Sequence, residues 1–535
     1  MEQNTDIINE EIVLDDNQLV CSLTGEIKPV KEKELTLQSL ISMLNEEYGF
    51  SVEDMERDFS VSYMNDEGKT KRTKVDLAVF ETGKAHNNEH LIRICIVQDG
   101  KTKDTDSTKG VEATLEKVLE VVDNCEFGAW TNGDVFHFMQ KEITAYFQPK
   151  CTDIADFPGE GQTMDDLEKW SDKINPRKPA NDSLVRTFKR CHDYIYGNEG
   201  QIKDAFWELL NLIFCKIYDE KRKFIPSPDS YHRKFWVGVK EQNTEEGLKR
   251  IAKRIKDIFE ELKGDALFNE VFDGNEQIRL TDKGLAYVAS ELAKYSFLDA
   301  TVDVKGTAYE TIVSNTLKQA QGQFFTPRNI IKCMVEILDP DENMRVLDPA
   351  CGSGGFLVMV LDHVRKKIAA RENPTLKSLY LEETYNSREI NDLVKDYAER
   401  MIFGFDFDRD LKKAARMNMV MAGDGHANIF NINSLDYPNG SKTDELEKIK
   451  ETIQRSIQSS HDKNESFAAE DARGKFDLIF TNPPFGSKVT VDKEISKRYD
   501  LGHNYNKDTY GHFQKGSESS SEAPEVLFIE QCYNF

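Results

Sequence analysis

The sequence predicts an α/β protein in three parts: an N-terminal α/β unit, a mostly helical middle and a C-terminal doubly wound sheet. Three observations carry that reading. A helical pattern followed by several strand-like runs fills residues 34–150, and apolar residues recur at helical spacing over 183–305. From residue 306 short apolar strands alternate with helices, the pattern of a parallel sheet covered on both faces. A length of 535 residues suits two to four domains.

Hydrophobic residues make up 39% and charged residues 31%, a globular balance with ample core material. No run approaches the roughly 18 apolar residues of a membrane span. The start, MEQNTDIINEEIVLDD, is acidic and lacks the basic-then-apolar pattern of a signal peptide. A cytoplasmic protein with no membrane partner is therefore expected. The nine cysteines include no CxxC pair, which excludes a disulfide framework or a zinc ribbon as the expectation. The formal net charge of −25 repels a nucleic-acid duplex at long range. A DNA-directed function then needs a local basic groove or a basic partner; otherwise the charge describes a soluble enzyme acting on something else.

Residues 1–33 read as a polar tail containing VCSLTGEIKPVKEKE, to which no role is assigned. From Glu34 a helix places Leu37, Leu40, Ile41 and Leu44 on one face and stops near Tyr48–Gly49. Strands are expected at 59–64, 74–80 and 91–98, then a helix carrying Val111, Leu115, Val118, Leu119 and Val122, then strands at 126–133 and 135–139. The Pro-, Gly- and Asp-containing stretch 151–182 reads as a linker, and 183–305 as a helical domain.

In the C-terminal part, MRVLDPACGSGGF (344–356) gives a short apolar strand, a loop opened by Asp348, and a following helix. The loop holds Ala350, Gly352, Ser353, Gly354 and Gly355, and its glycines let a ligand approach backbone amides without Cβ interference. The pattern is not the dinucleotide GxGxxG, which favours a smaller adenosine-containing ligand. A second apolar strand, IFGFDFD, ends at Asp406, whose paired oxygens suit two ribose hydroxyls. The other reading is that Asp406 or Asp408 caps the helix RDLKKAARMNMVMAG. A further strand, FDLIF, runs into Asn482, Pro483, Pro484 and Phe485. Two prolines stiffen that loop and present carbonyls. The Asn482 side-chain oxygen and the Pro483 carbonyl can together accept both N–H groups of an exocyclic amine, and Phe485 offers a stacking face. The bland alternative is a proline turn after a core strand.

DPACGSGG (348–355) and NPPF (482–485) resemble motifs I and IV of amino-group methyltransferases, and GQFFTPR (322–328) resembles the segment before motif I in type I modification subunits. The resemblance implies an adenine-specific N6 DNA methyltransferase with a Rossmann-like sheet that uses S-adenosylmethionine. Gln323, Phe324, Phe325, Thr326, Pro327 and Arg328 would close over its methionine part. NIFNINSLDY would place Asn433 at the third motif's acidic position, with Asp436 just beyond. The target adenine would be flipped out of double-stranded DNA and stacked on Phe485, and a specificity subunit, with a restriction subunit, would complete the assembly. Methyl transfer to RNA or to protein glutamine, and a non-catalytic assembly role, are the competing readings.

The unit at 34–150 resembles restriction subunits with a PD-(D/E)xK nuclease fold. Asp76 and Asp99 would then hold Mg²⁺ with Lys101 beside the phosphate, and Glu34 as a further acid. Gln98 stands near where the strand-borne acid belongs, so a binding or scaffolding domain of that fold is the preferred expectation. Four strands are legible in the C-terminal sheet, RVLD, IFGFD, NIFNI and FDLIF, where a methyltransferase sheet has seven. The sheet is thus expected to be C-terminally incomplete, with apolar faces left open.

Overall fold

A computed structural model of the chain describes residues 17–64, 67–98, 110–133, 135–144, 148–168, 177–179, 183–200, 205–222, 233–265, 268, 271–272, 274–321, 326–376, 380–381, 384–385, 387–423, 428–440, 443–459, 473–485, 491–519 and 523–535. The chain divides into two compact units. One takes residues up to 203 with 233–255 and 280–296; the other takes 204–232, 256–279 and 297–535. The helical stretch 183–305 contributes to both.

In the first unit the helix Glu32–Glu46 buries Leu37, Leu40, Ile41 and Leu44, the four residues expected on its inner face. It covers one side of a six-stranded sheet. The strand order is Pro149–Ile154, Phe136–Ile143, Phe127–Thr131, Leu91–Val97, Leu77–Phe80 and Met55–Arg57. Strands Leu91–Val97 and Phe127–Thr131 run parallel, and the other pairs are antiparallel. Alternation sorts the side chains: Leu77, Val79, Cys95 and Val97 join the core under the first helix. Ala78, Phe80, Ile94 and Ile96 pack on the other side against Val111, Leu115, Leu119 and Val122.

Two elements of this unit differ from expectation. The strand Pro149–Ile154 continues the sheet past residue 150, because PKCTDI is an edge strand whose ladder, rather than an apolar alternation, defines it. The unassigned segment after residue 17 is a hairpin, Gln18–Val20 with Ile27–Pro29. Its Cys21 is buried and receives hydrogen bonds from Arg57 Nη1 (3.2 Å) and Gln38 Nε2 (3.4 Å). Burial raises the thiol pKa, but these donors and those of Thr24 outweigh it and bring the pKa to about 6.

In the second unit four parallel strands form a sheet in the order Asn428–Asn431, Ile402–Asp406, Val346–Asp348, Leu478–Ile479. In chain order this is 3-2-1-4, so the direction of winding reverses between the strands ending at Asp348 and at Ile479. Both faces are buried, as a parallel sheet requires. Val346, Ile402 and Ile429 face the helices Gly355–Glu372 and Arg388–Met401. Leu347, Phe403, Phe405 and Phe430 face Ile449, Ile453 and Ile457 of the helix Thr443–Ser459. That second face also receives Phe535, which packs on Phe405 and Tyr437 and whose carbonyl accepts from the Lys475 amide at 3.0 Å. Beyond the sheet, His503–Lys507 and Phe513–Glu518 pair as an antiparallel ribbon. Among the described residues no helix is long and apolar enough to cross a membrane.

Candidate active site

Ligands of open α/β sheets bind outside the carboxyl ends of the strands, at the point where the winding reverses. Here that point lies between the loops leaving Asp348 and Ile479. The first loop is held by three contacts to its neighbours. The Cys351 amide donates to the Phe405 carbonyl at 2.9 Å. The Gly352 amide donates to Asp406 Oδ2 at 2.8 Å, and the buried Ser353 presents its carbonyl to Asn418 Nδ2 at 2.9 Å. Gly352 (φ 54°) and Gly354 (φ 81°) both adopt left-handed backbone. They differ in surroundings. A Cβ on Gly354 would sit 3.3 Å from Ala415, whereas one on Gly352 would meet nothing within 4 Å. The Gly352 side of the loop is therefore open to a ligand, and the Gly354 side is closed by packing.

The two strand-end acids are unequal. Asp348 is 1% exposed and accepts from the Ala350 amide at 3.1 Å. Burial lifts its carboxyl to about 8 against the Ala350 amide and Thr481 hydroxyl, and the charge of Asp406 pushes the same way. Asp406 accepts the Gly352 amide on one oxygen and the Asp408 amide, at 2.9 Å, on the other. Burial raises it to about 6 in spite of those two bonds. Each oxygen keeps a second lone pair for a hydroxyl donor. Asp408, not Asp406, caps the helix Arg409–Met421, accepting from Asp410 and Leu411 amides. Next to Asp406 stands Phe407, 76% exposed. The sequence reading passed over it, although an aromatic placed between two acids just past a strand end is poorly suited to a core and signals a surface role.

The fourth strand pairs with the first at Val346 and Leu347, and the Phe480 amide donates to the Leu347 carbonyl at 3.0 Å. This register brings Thr481 beside Asp348 and starts Asn482–Phe485 at the mouth of the glycine loop. Asn482 Nδ2 donates to Thr326 Oγ1 at 3.0 Å, joining residues 156 positions apart. One of the amide's two N–H groups is thereby committed, and Oδ1 keeps its acceptor lone pairs. Phe485 is half exposed.

Of the residues expected before the first strand, Gln323, Phe324 and Phe325 lie outside the described residues. Thr326 reaches Asn482 as above. Pro327 begins the helix Arg328–Leu338, and Arg328 pairs with Glu310 at 2.9 Å, over the backbone of Gly306. Asn433 caps the turn Ser434–Asp436 through Oδ1 and the Leu435 amide, and Ser434 Oγ donates to the Pro349 carbonyl. Asp436 is held by Arg498.

In the first unit Asp76 spends one oxygen on Lys33 Nζ (2.6 Å) and the other on the Val97 amide (2.8 Å). Glu34 forms a two-bond pair with Arg57, both bonds at 2.9 Å. Asp99 and Lys101 lie outside the described residues, and among the described residues no group of three or more metal-ligating side chains is found. Asp76 and Glu34 are thus each paired with a cation of their own domain.

The fold and site define an open parallel α/β sheet whose glycine loop and strand-end acids lie beside an Asn-Pro-Pro-Phe loop. Comparison with known proteins gives the class its name. Residues 300–515 match the family model described as N-6 DNA Methylase, and residues 32–158 match the one described as Type I restriction enzyme R protein N terminus. These two segments are thus similar to an N-6 DNA methylase domain and to the N terminus of type I restriction R proteins. It is 22% identical over 340 residues to the type I restriction enzyme EcoEI methylase subunit of Escherichia coli, covering 59% of each chain. It is 25% identical over 217 residues to the MjaVII methylase subunit of Methanocaldococcus jannaschii, covering 35% of this chain and 37% of that protein. The chain therefore spans less than two thirds of either relative. Among solved structures, the type I restriction-modification system methyltransferase subunit from Streptococcus thermophilus aligns at 14% identity and a TM-score of 0.40, over 67% of this chain and 72% of that one.

Proposed function

We propose that this chain is the methylating component of a restriction-modification system, transferring a methyl group from S-adenosylmethionine to adenine N6 in double-stranded DNA. The supporting observation is the Asn482–Thr326 bond at the winding reversal of a Rossmann-like sheet, which commits one amide N–H and leaves the oxygen to accept from a substrate amine. The match to the N-6 DNA Methylase family model and the restriction-enzyme methylase subunits among its relatives favour DNA over RNA or protein glutamine as the substrate class.

S-adenosylmethionine, when bound, supplies the electrophilic methyl group. The open side of Gly352 would receive it, the second lone pairs of Asp406 would hold its hydroxyls, and Phe407 would offer an exposed ring to its base. On the substrate side Asn482 Oδ1 and the Pro483 carbonyl accept the two N–H groups of the target amine. That pulls its lone pair out of the ring and toward the methyl donor. The half-exposed Phe485 stacks on the extruded base, a contact worth roughly 1–3 kcal/mol. Positioning and amine activation supply most of the rate.

The first unit acts in this reading as a binding or scaffolding domain, since Lys33 and Arg57 already neutralise Asp76 and Glu34. A specificity subunit, with a restriction subunit, completes the assembly in the cytoplasm. The test is transfer of tritiated methyl groups to unmethylated plasmid, with and without the specificity partner. Asn482→Ala abolishes transfer while S-adenosylmethionine binding stays within about twofold; full activity in that variant would sink the mechanism.

A further inference from the structure

The ribbon His503–Lys507 / Phe513–Glu518 is exposed along nearly its whole length on both faces, so it contributes little to the core. Its register places Tyr505 opposite Lys515 and Lys507 opposite Phe513. Because cross-strand partners share a face, these four form a checkerboard of two aromatics and two lysines, with the Lys507 ammonium 5.1 Å from the Phe513 ring centroid. The opposite face pairs Asn506 with Gln514. The acid nearest the tip, Asp508, is turned into the loop, accepting the Tyr510 and His512 amides at 2.9 Å. Lys515 meets Asp500 at 2.5 Å, but both side chains are exposed and such a pair is weak. The segment HNYNKDTYGHFQKGSE contains no aliphatic side chain.

The ribbon's root ties it to the candidate active site. The buried Tyr499 hydroxyl donates to the Leu435 carbonyl at 2.7 Å, and Tyr499, Leu435 and Leu527 pack as one cluster against Ala350 of the glycine loop. A stem fixed to the same end of the sheet as the glycine loop carries an exposed ribbon of lysines, aromatics and amides.

We propose that this ribbon is a DNA-contacting element that holds the duplex beside the catalytic loop. The proposal rests on the DNA methyl-transfer reading above for the identity of its nucleic acid. Three features select that partner. Lysines alternating with exposed aromatics give phosphate contacts and stacking faces together. A two-stranded ribbon is of a size that the major groove admits. A protein-docking face would carry aliphatic residues at its centre, and this one has none. The ribbon as a whole is formally neutral, Lys507 and Lys515 balancing Asp508 and Glu518, so in a chain of net charge −25 its contact with phosphate is confined to the face that carries the two lysines.

The test uses the full chain and a fluorescein-labelled, unmethylated duplex of mixed sequence, titrated at several salt concentrations. Lys507→Gln with Lys515→Gln should weaken binding roughly tenfold and lower the slope of log affinity against log salt by about 2, one for each lost phosphate contact. Tyr505→Ala with Phe513→Ala should weaken binding by a similar factor and leave the slope unchanged. The positions are exposed, so thermal melts should match the parent. Unchanged affinity and slope in both variants, or no duplex binding by the parent at low salt, overturns the proposal. Loss of association with a specificity subunit at unchanged duplex affinity would make the ribbon a protein-docking element and also overturns it. S-adenosylmethionine binding, measured in parallel, separates the two claims: binding retained with no ribbon effect leaves the methyltransferase reading standing alone, and the converse leaves the ribbon.

Discussion

At the scale of residues, the chemistry depends on which atoms are already spoken for. Asn482 has one donor end and one acceptor end, and Thr326 takes a donor. Without the Thr326 hydroxyl the amide is free to rotate and present its nitrogen to the substrate amine, which would repel it. Thr326→Val should therefore lower kcat about tenfold, the worth of one oriented hydrogen bond near 1.4 kcal/mol. Thr326→Ser should restore it. A purely structural role would move Tm or KM instead, so steady-state kinetics with matched melts decide the matter, and an undiminished kcat in the valine variant refutes the positioning role. Asp406 illustrates the same economy: its two oxygens are already anchored by the Gly352 and Asp408 amides, which fixes its orientation before any ribose arrives.

At the scale of elements, the two left-handed glycines separate stability from binding. Gly354→Ala adds a Cβ against Ala415 at 3.3 Å on a backbone that L-residues avoid, and should cost roughly 1–3 kcal/mol of stability. Gly352→Ala carries the backbone cost alone, about 1 kcal/mol, because its Cβ meets open space. In the proposed function that space receives the cofactor, so Gly352→Ala should raise the cofactor Kd far more than Gly354→Ala does, while lowering Tm less. Thermal melts and calorimetric titration of both variants check this; the reverse ranking would place the ligand on the other side of the loop. The elements that sequence made legible are those whose pattern is local. The strands at 346–348 and 402–406 are short apolar runs closed by an acid, and the helix Glu32–Glu46 has a clean apolar stripe. What stayed hidden is non-local or polar. The edge strand Pro149–Ile154 and the ribbon at 503–518 lack alternating apolar residues, so only their ladders reveal them. The Thr326–Asn482 bond links distant positions, and the hairpin holding Cys21 depends on donors from Gln38 and Arg57.

At the scale of the whole molecule, the buried acids couple folding, pH and cofactor. The folded-state carboxyl of Asp348 is raised to about 8 and that of Asp406 to about 6, against about 3.9 in the unfolded chain. Between those limits the folded chain holds more protons than the unfolded one. Stability from these two groups is thus present at low pH and is lost as pH rises through about 4 to 8, with a slope of at most about 1.4 kcal/mol per pH unit for each group. Lys305 works the other way. Burial, with Arg365 and Lys221 nearby, lowers its ammonium to about 7, so its contribution rises with pH above 7. Cys21, lowered to about 6, and His137, lowered by burial, also oppose the acids, so the comparison is with a variant. In denaturant unfolding of the cofactor-free chain between pH 5 and 7 the parent should lose stability with pH relative to Asp348→Asn. S-adenosylmethionine carries positive charge, which favours the ionised acids, so its binding should release protons and tighten as pH rises. Calorimetric titration in two buffers of different ionisation heat reads that release directly. An Asp348→Asn variant that keeps both the parent's pH slope and its proton release would show that Asp348 is not the coupled group.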